Sequence, residues 1–334
     1  MTLADVAALA GVDRSVVSRV MNNDTALSIR EETRDRVLNA IRELDYRPNA
    51  AARSLRTSRA RTLGLFIPDF ANPVYAQIIA GAESAAAEAG CVLVTGTDEA
   101  VEKIDAGYVD LLGTGRVDGV LLAGGTVSAD ERQRFEAAGV PYLLLNRRGQ
   151  DSRRFVVLDD AKAAQMAVAH LVELGHTAIG FVGGPPGADT AQRRRAGYLA
   201  ALRAAGLEPD EQLQTKADYT PAGGYRALGA LVAGQVRPTA VLVANVASAI
   251  GVLKAAQRHG LDVPGDLSVV AVHDLPLTEY LMPALTTVSM PLRELGERAV
   301  RLLLETPAQA PIEEQVSRPM TLVVRESTAP PRQP

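Results

Sequence analysis

The fold class this chain predicts is a small all-α head followed by a large α/β body, and three observations predict it. Two short helical patterns separated by Gly11 open the chain. From Thr62 onward, β-branched apolar runs alternate with Ala- and Leu-rich helical segments. The charge also changes sign between the two parts. Residues 1–61 hold 11 arginines, no lysine and 8 acidic residues, a net +3, whereas the other 273 carry 24 basic against 31 acidic, a net −7. A cationic head suits a polyanion such as DNA, and an acidic body does not.

Thr2 with Asp5 three residues later has the form of a capping box, which starts a first helix at Leu3. Val6, Leu9 and Ala10 fall on one expected buried face. Gly11 supplies the turn, and Asp13 is placed to accept from the amides that open a second helix. On that helix Val17, Val20 and Met21 form an inward stripe, while Arg14, Ser15, Ser18 and Arg19 share the outward face. Ser28 with Glu31 predicts a second capping box and a third helix to about Tyr46, with Val37, Ile41 and Leu44 closing a three-helix core. Short polar side chains flanked by arginines suit base edges and phosphates in a major groove. Arg14, Ser15 and Arg19 are therefore candidates for base contact, with Ser18 nearer the DNA backbone. The alternative is an ordinary helical hairpin whose arginines are solvated.

Pro48 ends the third helix, and Asn49 is placed to cap a short one running to about Arg56. Isolated helices need roughly 12–15 residues to persist in water, so this one requires outside support. Two readings remain open from these residues. Residues 49–56 form a helix ordered on DNA, with Leu55 wedged into the minor groove and Arg53 or Arg56 on phosphate, or a plain linker with Leu55 packed on its neighbour.

In the body, strands are predicted at Thr62–Ile67, Cys91–Thr95, Gly119–Ala123, Pro141–Leu145, Phe155–Leu158, Ala178–Val182, Ala240–Ala244 and Leu267–Val272. Helices are predicted at Ala76–Ala89, Ala161–Leu174, Arg193–Ala205 and Ala247–His259. Continuous apolar strands alternating with helices imply parallel sheets covered on both faces. About 270 residues exceed one comfortable core, so two doubly wound lobes are expected, with a ligand outside the carboxyl ends of the strands. The polar and aromatic residues at those ends are Phe70, Asn72 and Tyr75, then Asn146 and Arg147, Asp159 with Asp160, Arg194, Asn245, and His273 with Asp274. Asp159, Arg194 and His273 are the foremost candidates; for each residue singly, turn formation or helix capping is the competing role.

An ordered set of local patterns runs through the chain: Thr2-Leu-Ala-Asp-Val-Ala, Ala10-Gly-Val, Val17-Ser-Arg-Val-Met-Asn22, Tyr46-Arg-Pro-Asn with Ala52-Arg-Ser-Leu55, and Asp118-Gly-Val. Leu174-Gly-His-Thr-Ala-Ile with Gly183-Gly, Arg194-Arg-Ala-Gly-Tyr198, Val263-Pro-Gly-Asp-Leu-Ser-Val-Val270 and Pro283-Ala-Leu-Thr-Thr-Val288 continue it. From Thr2 to about Arg325 the chain thereby resembles the LacI/GalR (lactose-repressor) family of bacterial transcription regulators. The resemblance implies a helix-turn-helix DNA-binding domain over 1–46, and favours the hinge-helix reading within a 47–60 segment. It adds Thr2, Val16, Asn22, Asn49 and Ala52 to the DNA-contacting set. It also implies a periplasmic-binding-protein-like, two-lobed effector and dimerisation domain over 61–330. The N-lobe takes about 61–158 and 289–317 and the C-lobe about 159–286 and 318–330, with crossings near 158–161, 286–289 and 317–320 and a tail at 331–334. Arg194 stands where the family commonly uses an arginine on its effector. The partners implied are a near-palindromic double-stranded operator, a small effector (a sugar, sugar acid or sugar phosphate) and a second copy of the chain. Repression is the family expectation, exerted through coupling between lobe closure and hinge order.

Two departures bear on the effector. Family members often carry Asn-Asp where this chain has Asn245-Val246, and an acidic residue in place of His273. Losing carboxylates beside Arg194 and Arg147 points toward an acidic or phosphorylated effector. A neutral sugar held by the remaining aspartates, with His273 as a neutral donor and acceptor, is the alternative.

Other chemistry is thinly represented. Cys91 is the single cysteine, expected in a buried strand, which excludes intrachain disulfides and suits a reducing compartment. The four histidines, at 170, 176, 259 and 273, lack metal-ligand spacing, and His176 is expected to tie a loop. Gly183 and Gly184 are expected to end a strand and shape a turn. No phosphate-loop, nucleophile-elbow or dinucleotide motif occurs, so neither an enzyme nor a cofactor is expected. No secretory leader or membrane-length apolar run is evident, which suits a cytoplasmic protein. Residues 327–334 read as a disordered tail without leucine heptads, so a homodimer is expected rather than a tetramer, with Ala76–Ala89 a candidate surface. A solute-binding protein of a transport system shares the two-lobed body but lacks such a head.

Overall fold

The structure is a computed structural model of the 334-residue chain, and it describes residues 1–21, 24, 26–46, 60–97, 116–123, 137, 139–149 and 152–332. The chain divides into two compact units, Met1–Ala60 and Arg61–Pro334.

The head is three helices: α1 (Leu3–Ala10), α2 (Arg14–Met21) and α3 (Glu31–Glu43). The expected capping box forms, with Thr2 accepting from the Asp5 amide and Asp5 from the Thr2 amide. Gly11 takes a left-handed φ of 64°, which a side chain would strain, and closes α1. Asp13 accepts from the Ser15 amide at 2.7 Å, as its position predicts. Val6, Ala7, Ala10, Val17, Val20, Val37 and Ala40 make the core, with Ile41, Leu44 and Met21 partly buried against it.

Two expectations are corrected in the head. Leu9 is half exposed, because the buried face runs through Val6, Ala7 and Ala10, with Leu3 partly buried beside them. The Ser28–Glu31 box does not form. Leu27 and Ile29 are drawn against the core, Arg30 becomes the extended N-cap, and α3 starts with Glu31 and Glu32 set favourably against the helix dipole. The helix also stops at Glu43 rather than near Tyr46.

The body holds two sheets. The first comprises β1 (Thr62–Ile67), β2 (Val92–Thr97), β3 (Gly119–Leu122), β4 (Tyr142–Leu145), β5 (Arg154–Val157) and β11 (Ile312–Gln315) in the order β11-β5-β4-β3-β1-β2. The second comprises β6 (Ile179–Val182), β7 (Gln214–Thr215), β8 (Ala240–Val243), β9 (Ser268–Val272), β10 (Thr286–Ser289) and β12 (Thr321–Val323) in the order β12-β10-β9-β8-β6-β7. The β10–β12 pair is antiparallel, so this sheet is mixed rather than wholly parallel. We call the lobes built on these sheets the N-lobe and the C-lobe.

The chain passes between sheets after β5, after β10 and after β11. Helices α4 (Val74–Glu88), α5 (Asp160–Glu173), α6 (Asp189–Ala204), α7 (Pro221–Ala233), α8 (Val246–Arg258) and α9 (Leu292–Glu305) flank the sheets. They pair as α4 with α9, α5 with α6 and α7 with α8, and glycine lets the backbones touch. A Cβ on Gly81 would lie 1.8 Å from the Arg293 carbonyl oxygen, and one on Gly197 would lie 2.1 Å from that of Ala161. Part of α4 is therefore occupied within the protomer, leaving Ala76, Glu83, Ala87 and Glu88 exposed.

Two further expectations change. Cys91 precedes its strand and is partly buried, and β2 is not covered on both faces: Val92 and Val94 are exposed. The C-terminal segment is pinned rather than loose as far as Arg332. His176 Nε2 lies 2.9 Å from the Ala329 carbonyl and Nδ1 lies 2.9 Å from Thr239 Oγ1, while Arg332 bonds Asp262 and Asp266. His176 thus ties the chain terminus to β9, where Ser268 also bonds Ala329. Among the described residues, no helix is long and apolar enough to cross a membrane, and no cluster of His, Cys, Asp and Glu is placed to hold a metal.

Candidate functional site

A cleft of about 370 Å³ opens between the lobes at the carboxyl ends of their strands. The N-lobe supplies Pro68, Asp69, Asn72 and Tyr75 after β1, Ala123 after β3, and Asn146 and Arg147 after β4. The C-lobe supplies Pro185, Gly187, Ala188, Asp189 and Thr190 after β6, and Asp218, Tyr219 and Thr220 after β7. Convergence of strand ends from two doubly wound sheets is the expected ligand position in such folds.

Backbone strain marks the same place. Five described non-glycine residues have positive φ, and Asn146 (58°), Tyr219 (63°) and His273 (77°) are all at this end of the sheets. Such conformations persist where surrounding structure enforces them, and they cluster at functional sites. Gly184 makes room here, because a Cβ would come within 2.3 Å of the Tyr219 ring. The Tyr219 hydroxyl and Thr190 Oγ1 are 3.0 Å apart.

Behind the cleft lies a buried charge cluster. Arg194 is 2 % exposed, and its guanidinium carbon sits 5.8 Å from the Tyr219 ring centroid. Its Nε donates to Asp160 Oδ1 at 2.7 Å, Nη1 to the Ala244 carbonyl at 2.7 Å, and Nη2 to His273 Nε2 at 3.1 Å. Desolvation opposes the Arg194 charge, but Asp160 beside it more than offsets this and raises its pKa. Burial, and secondarily Arg194, push the His273 imidazole well below its ordinary value, so the ring is neutral. Because Nε2 accepts from Arg194, Nδ1 carries the proton. His273 Nδ1 and Asn146 Oδ1 are buried with no hydrogen-bond partner among the described residues.

The structure sorts the remaining sequence candidates. Asn72, Tyr75, Asn146 and Arg147 line the cleft. Arg194 and His273 stand behind it. Asp159 caps α5 through the Lys162 amide and accepts from Gln315, and the adjacent Asp160 is the carboxylate that meets Arg194. Asn245 caps α8 and donates to the Tyr219 carbonyl. Asp274 Oδ1 is held by Arg325, Thr278 and Thr287. Phe70 is 55 % exposed and is not among the residues lining the cleft. The sequence reading missed Asp189, Thr190, Asp218 and Tyr219. For Asp189 a signal existed, since it precedes Arg193 by one helical turn.

The anionic-effector expectation loses its basis at Arg194, whose charge is already matched by Asp160. Around the cleft itself, Asp189 is paired with Arg193 and Asp218 with Arg226, and Asp69 stands opposite Arg147. A second hollow, about 480 Å³, lies on the C-lobe beside β7, but its charged residues Arg195, Glu211 and Lys216 are all solvent-exposed.

In the head, the outward face of α2 presents Arg14, Ser15 and Arg19 exposed, with Ser18 and Val16 partly buried. Arg19 Nε pairs with Asp24 at 2.7 Å. Thr2 is exposed and its hydroxyl serves the α1 cap. Asn22, Asn49, Ala52, Arg53, Leu55 and Arg56 lie outside the described residues.

Comparison with known proteins gives two family matches. Residues 2–49 match the profile for bacterial regulatory proteins of the lacI family, and residues 168–328 match that of a periplasmic binding protein-like domain. The ribose operon repressor of Escherichia coli (strain K12) is 34 % identical over 318 residues, spanning 94 % of this chain and 95 % of the relative. Among solved structures, the lac repressor dimer bound to operator and the anti-inducer ONPF is similar, with a TM-score of 0.84 at 30 % identity over 98 % of this chain and 99 % of the other. A complex of the transcriptional regulator CelR with cellobiose gives 0.73 at 32 % identity over 98 % and 99 %.

Proposed function

Because the chain belongs to the lacI family of bacterial regulatory proteins, a DNA-binding transcriptional regulator under effector control, we propose that its effector is a neutral, hydroxyl-rich molecule of the sugar class. The observation that carries this reading is the Arg194 cluster. An anion arriving beside Arg194 would have to displace Asp160, a buried carboxylate that holds two arginines. A neutral ligand leaves that pairing intact. The cleft then offers it hydrogen-bond groups on Asn72, Asn146, Asp189 and Thr190, and aromatic faces on Tyr75 and Tyr219. Sugar-bearing neighbours support the class, since the similar CelR structure holds cellobiose.

The head reads a near-palindromic operator through α2, with Arg14, Ser15 and Arg19 on base edges, and the chain acts as a homodimeric repressor in the cytoplasm. A second copy doubles the contacts of a small head. The lac repressor neighbour, a dimer on its operator, supports this arrangement. The hinge segment 47–60 couples lobe angle to DNA grip.

Calorimetric titration of the full chain with D-ribose, cellobiose and their aldonic acids tests the effector class. A neutral sugar binding at least tenfold tighter than its acid, equally at pH 6 and pH 8, is expected. Preference for the acid would overturn it.

A further inference from the structure

A chain of hydrogen bonds and ion pairs runs from one lobe to the other beneath the cleft. It begins at the backbone N–H of Arg148, in the loop after β4, which donates to Asp189 Oδ2 at 3.0 Å. The same oxygen accepts from Arg193 Nε at 2.9 Å, one turn further along α6. Arg193 Nη1 donates to the Leu158 carbonyl at 2.6 Å and contacts Asp160. Leu158 and Asp160 both belong to the first crossing between the sheets. Asp160 is shared with Arg194, which reaches His273. The side chains of Arg193 and Asp160 are largely or wholly buried, so salt screens these pairs weakly.

We propose that Asp189 is a positioning residue for effector control. Steered by Arg193, its carboxylate latches the loop after β4 to the first turn of α6 and so sets the angle between the lobes. Three features support this. The Arg148–Asp189 bond is charge-assisted, whereas another contact across the lobes, Gln77 Nε2 to the Asp274 carbonyl, is neutral and 3.4 Å long. Asp189 itself lines the cleft, so an effector hydroxyl drawn to the carboxylate acts on the latch directly. Arg193 joins Asp189 to the Leu158–Asp160 crossing, so latch and hinge move as one body. A capping role accounts for less, because the bonds of Asp189 go to Arg148 and Arg193, and the N-cap of α6 is Ala188 with no side-chain bond.

The inference takes its purpose from the effector reading above, but its test needs no effector. Spin labels are placed at Ala87→Cys on α4 and Ala222→Cys on α7, in the full chain with Cys91→Ser. Labelled chain is diluted into unlabelled chain so that distances within one protomer dominate. In this background Asp189→Ala is expected to add a population displaced by about 2 Å or more. Asp189→Asn keeps an acceptor oxygen but loses the charge and the Arg193 ion pair, so it is expected to add a smaller displaced population than Asp189→Ala. Hydrogen exchange at the Arg148 amide is expected to rise at least about tenfold in Asp189→Ala and far less in Asp189→Asn. A purely structural role would move both variants together with their melting temperatures. An Asp189→Ala distribution that overlays the parent, or unchanged exchange at Arg148, overturns the proposal. Failure of the sugar titration would leave this result standing, and the reverse also holds.

Discussion

Arg19 in the head and Arg194 in the body are the same residue in opposite circumstances. Arg19 is exposed on α2 and pairs with Asp24 through an equally accessible bond. Arg194 is 2 % exposed and bound by Asp160, a backbone carbonyl and a neutral imidazole. Water competes for the first pair, so it exchanges cheaply for a phosphate or a base edge. No such exchange is open to the second, because removing one partner strands a buried charge. An arginine's availability, rather than its presence, therefore decides whether it recognises a ligand or holds the wall behind one.

The strongest way to break this contrast is Arg194→Met. It leaves Asp160 short of a partner and is expected to cost the body about 3–5 kcal/mol in urea unfolding. A cost below about 1 kcal/mol would mean that the cluster is as yielding as a surface pair. Next comes Arg19→Ala, expected to weaken binding to a selected operator by about 1–3 kcal/mol, as lost base contacts do. The same change is expected to alter head stability by less than about 1 kcal/mol. Unchanged operator affinity would show that the recognition face is elsewhere.

A third test separates the two units by pH. Burial lowers the pKa of His170, His176 and His273, so the unfolded chain binds more protons than the native body below the ordinary histidine value of 6.5. Body stability is therefore complete above that value and falls as pH drops through it. The head has no histidine over residues 1–46, and its perturbed groups are Asp5, Asp13 and Asp24, held below 3.8 by local hydrogen bonds. Its loss is expected only at more acid pH. Coincident acid transitions by circular dichroism would contradict the assignment. The smallest effect is expected from Arg332→Ala, which removes exposed pairs to Asp262 and Asp266 and changes the body's melting free energy by no more than about 1 kcal/mol.

Legibility followed the physics of each element. β1 was readable because the run over residues 63–67 is apolar and is buried at every position. β7 is two residues long and β11 reads Ile-Glu-Glu-Gln, so pairing alone makes them strands. Asp159 and Asp160 are adjacent carboxylates, and the residue at which α5 begins decides which one turns inward. Tyr219 and His273 owe their positions to positive φ angles that tertiary structure imposes, and no spacing announces those. Asp189 stands four residues before Arg193, but the helix predicted from the sequence begins at Arg193, and the bond of Asp189 to Arg148 joins segments 41 residues apart.

DNA recognition by the outward face of α2 is tested by selecting binding sites from a random duplex library with the full chain, alongside Arg14→Ala/Arg19→Ala. Enrichment of one near-palindromic sequence is expected, with affinity that falls steeply as salt rises and enrichment that disappears in the double variant. Equal enrichment by parent and variant, or no enriched sequence from the parent, would contradict it.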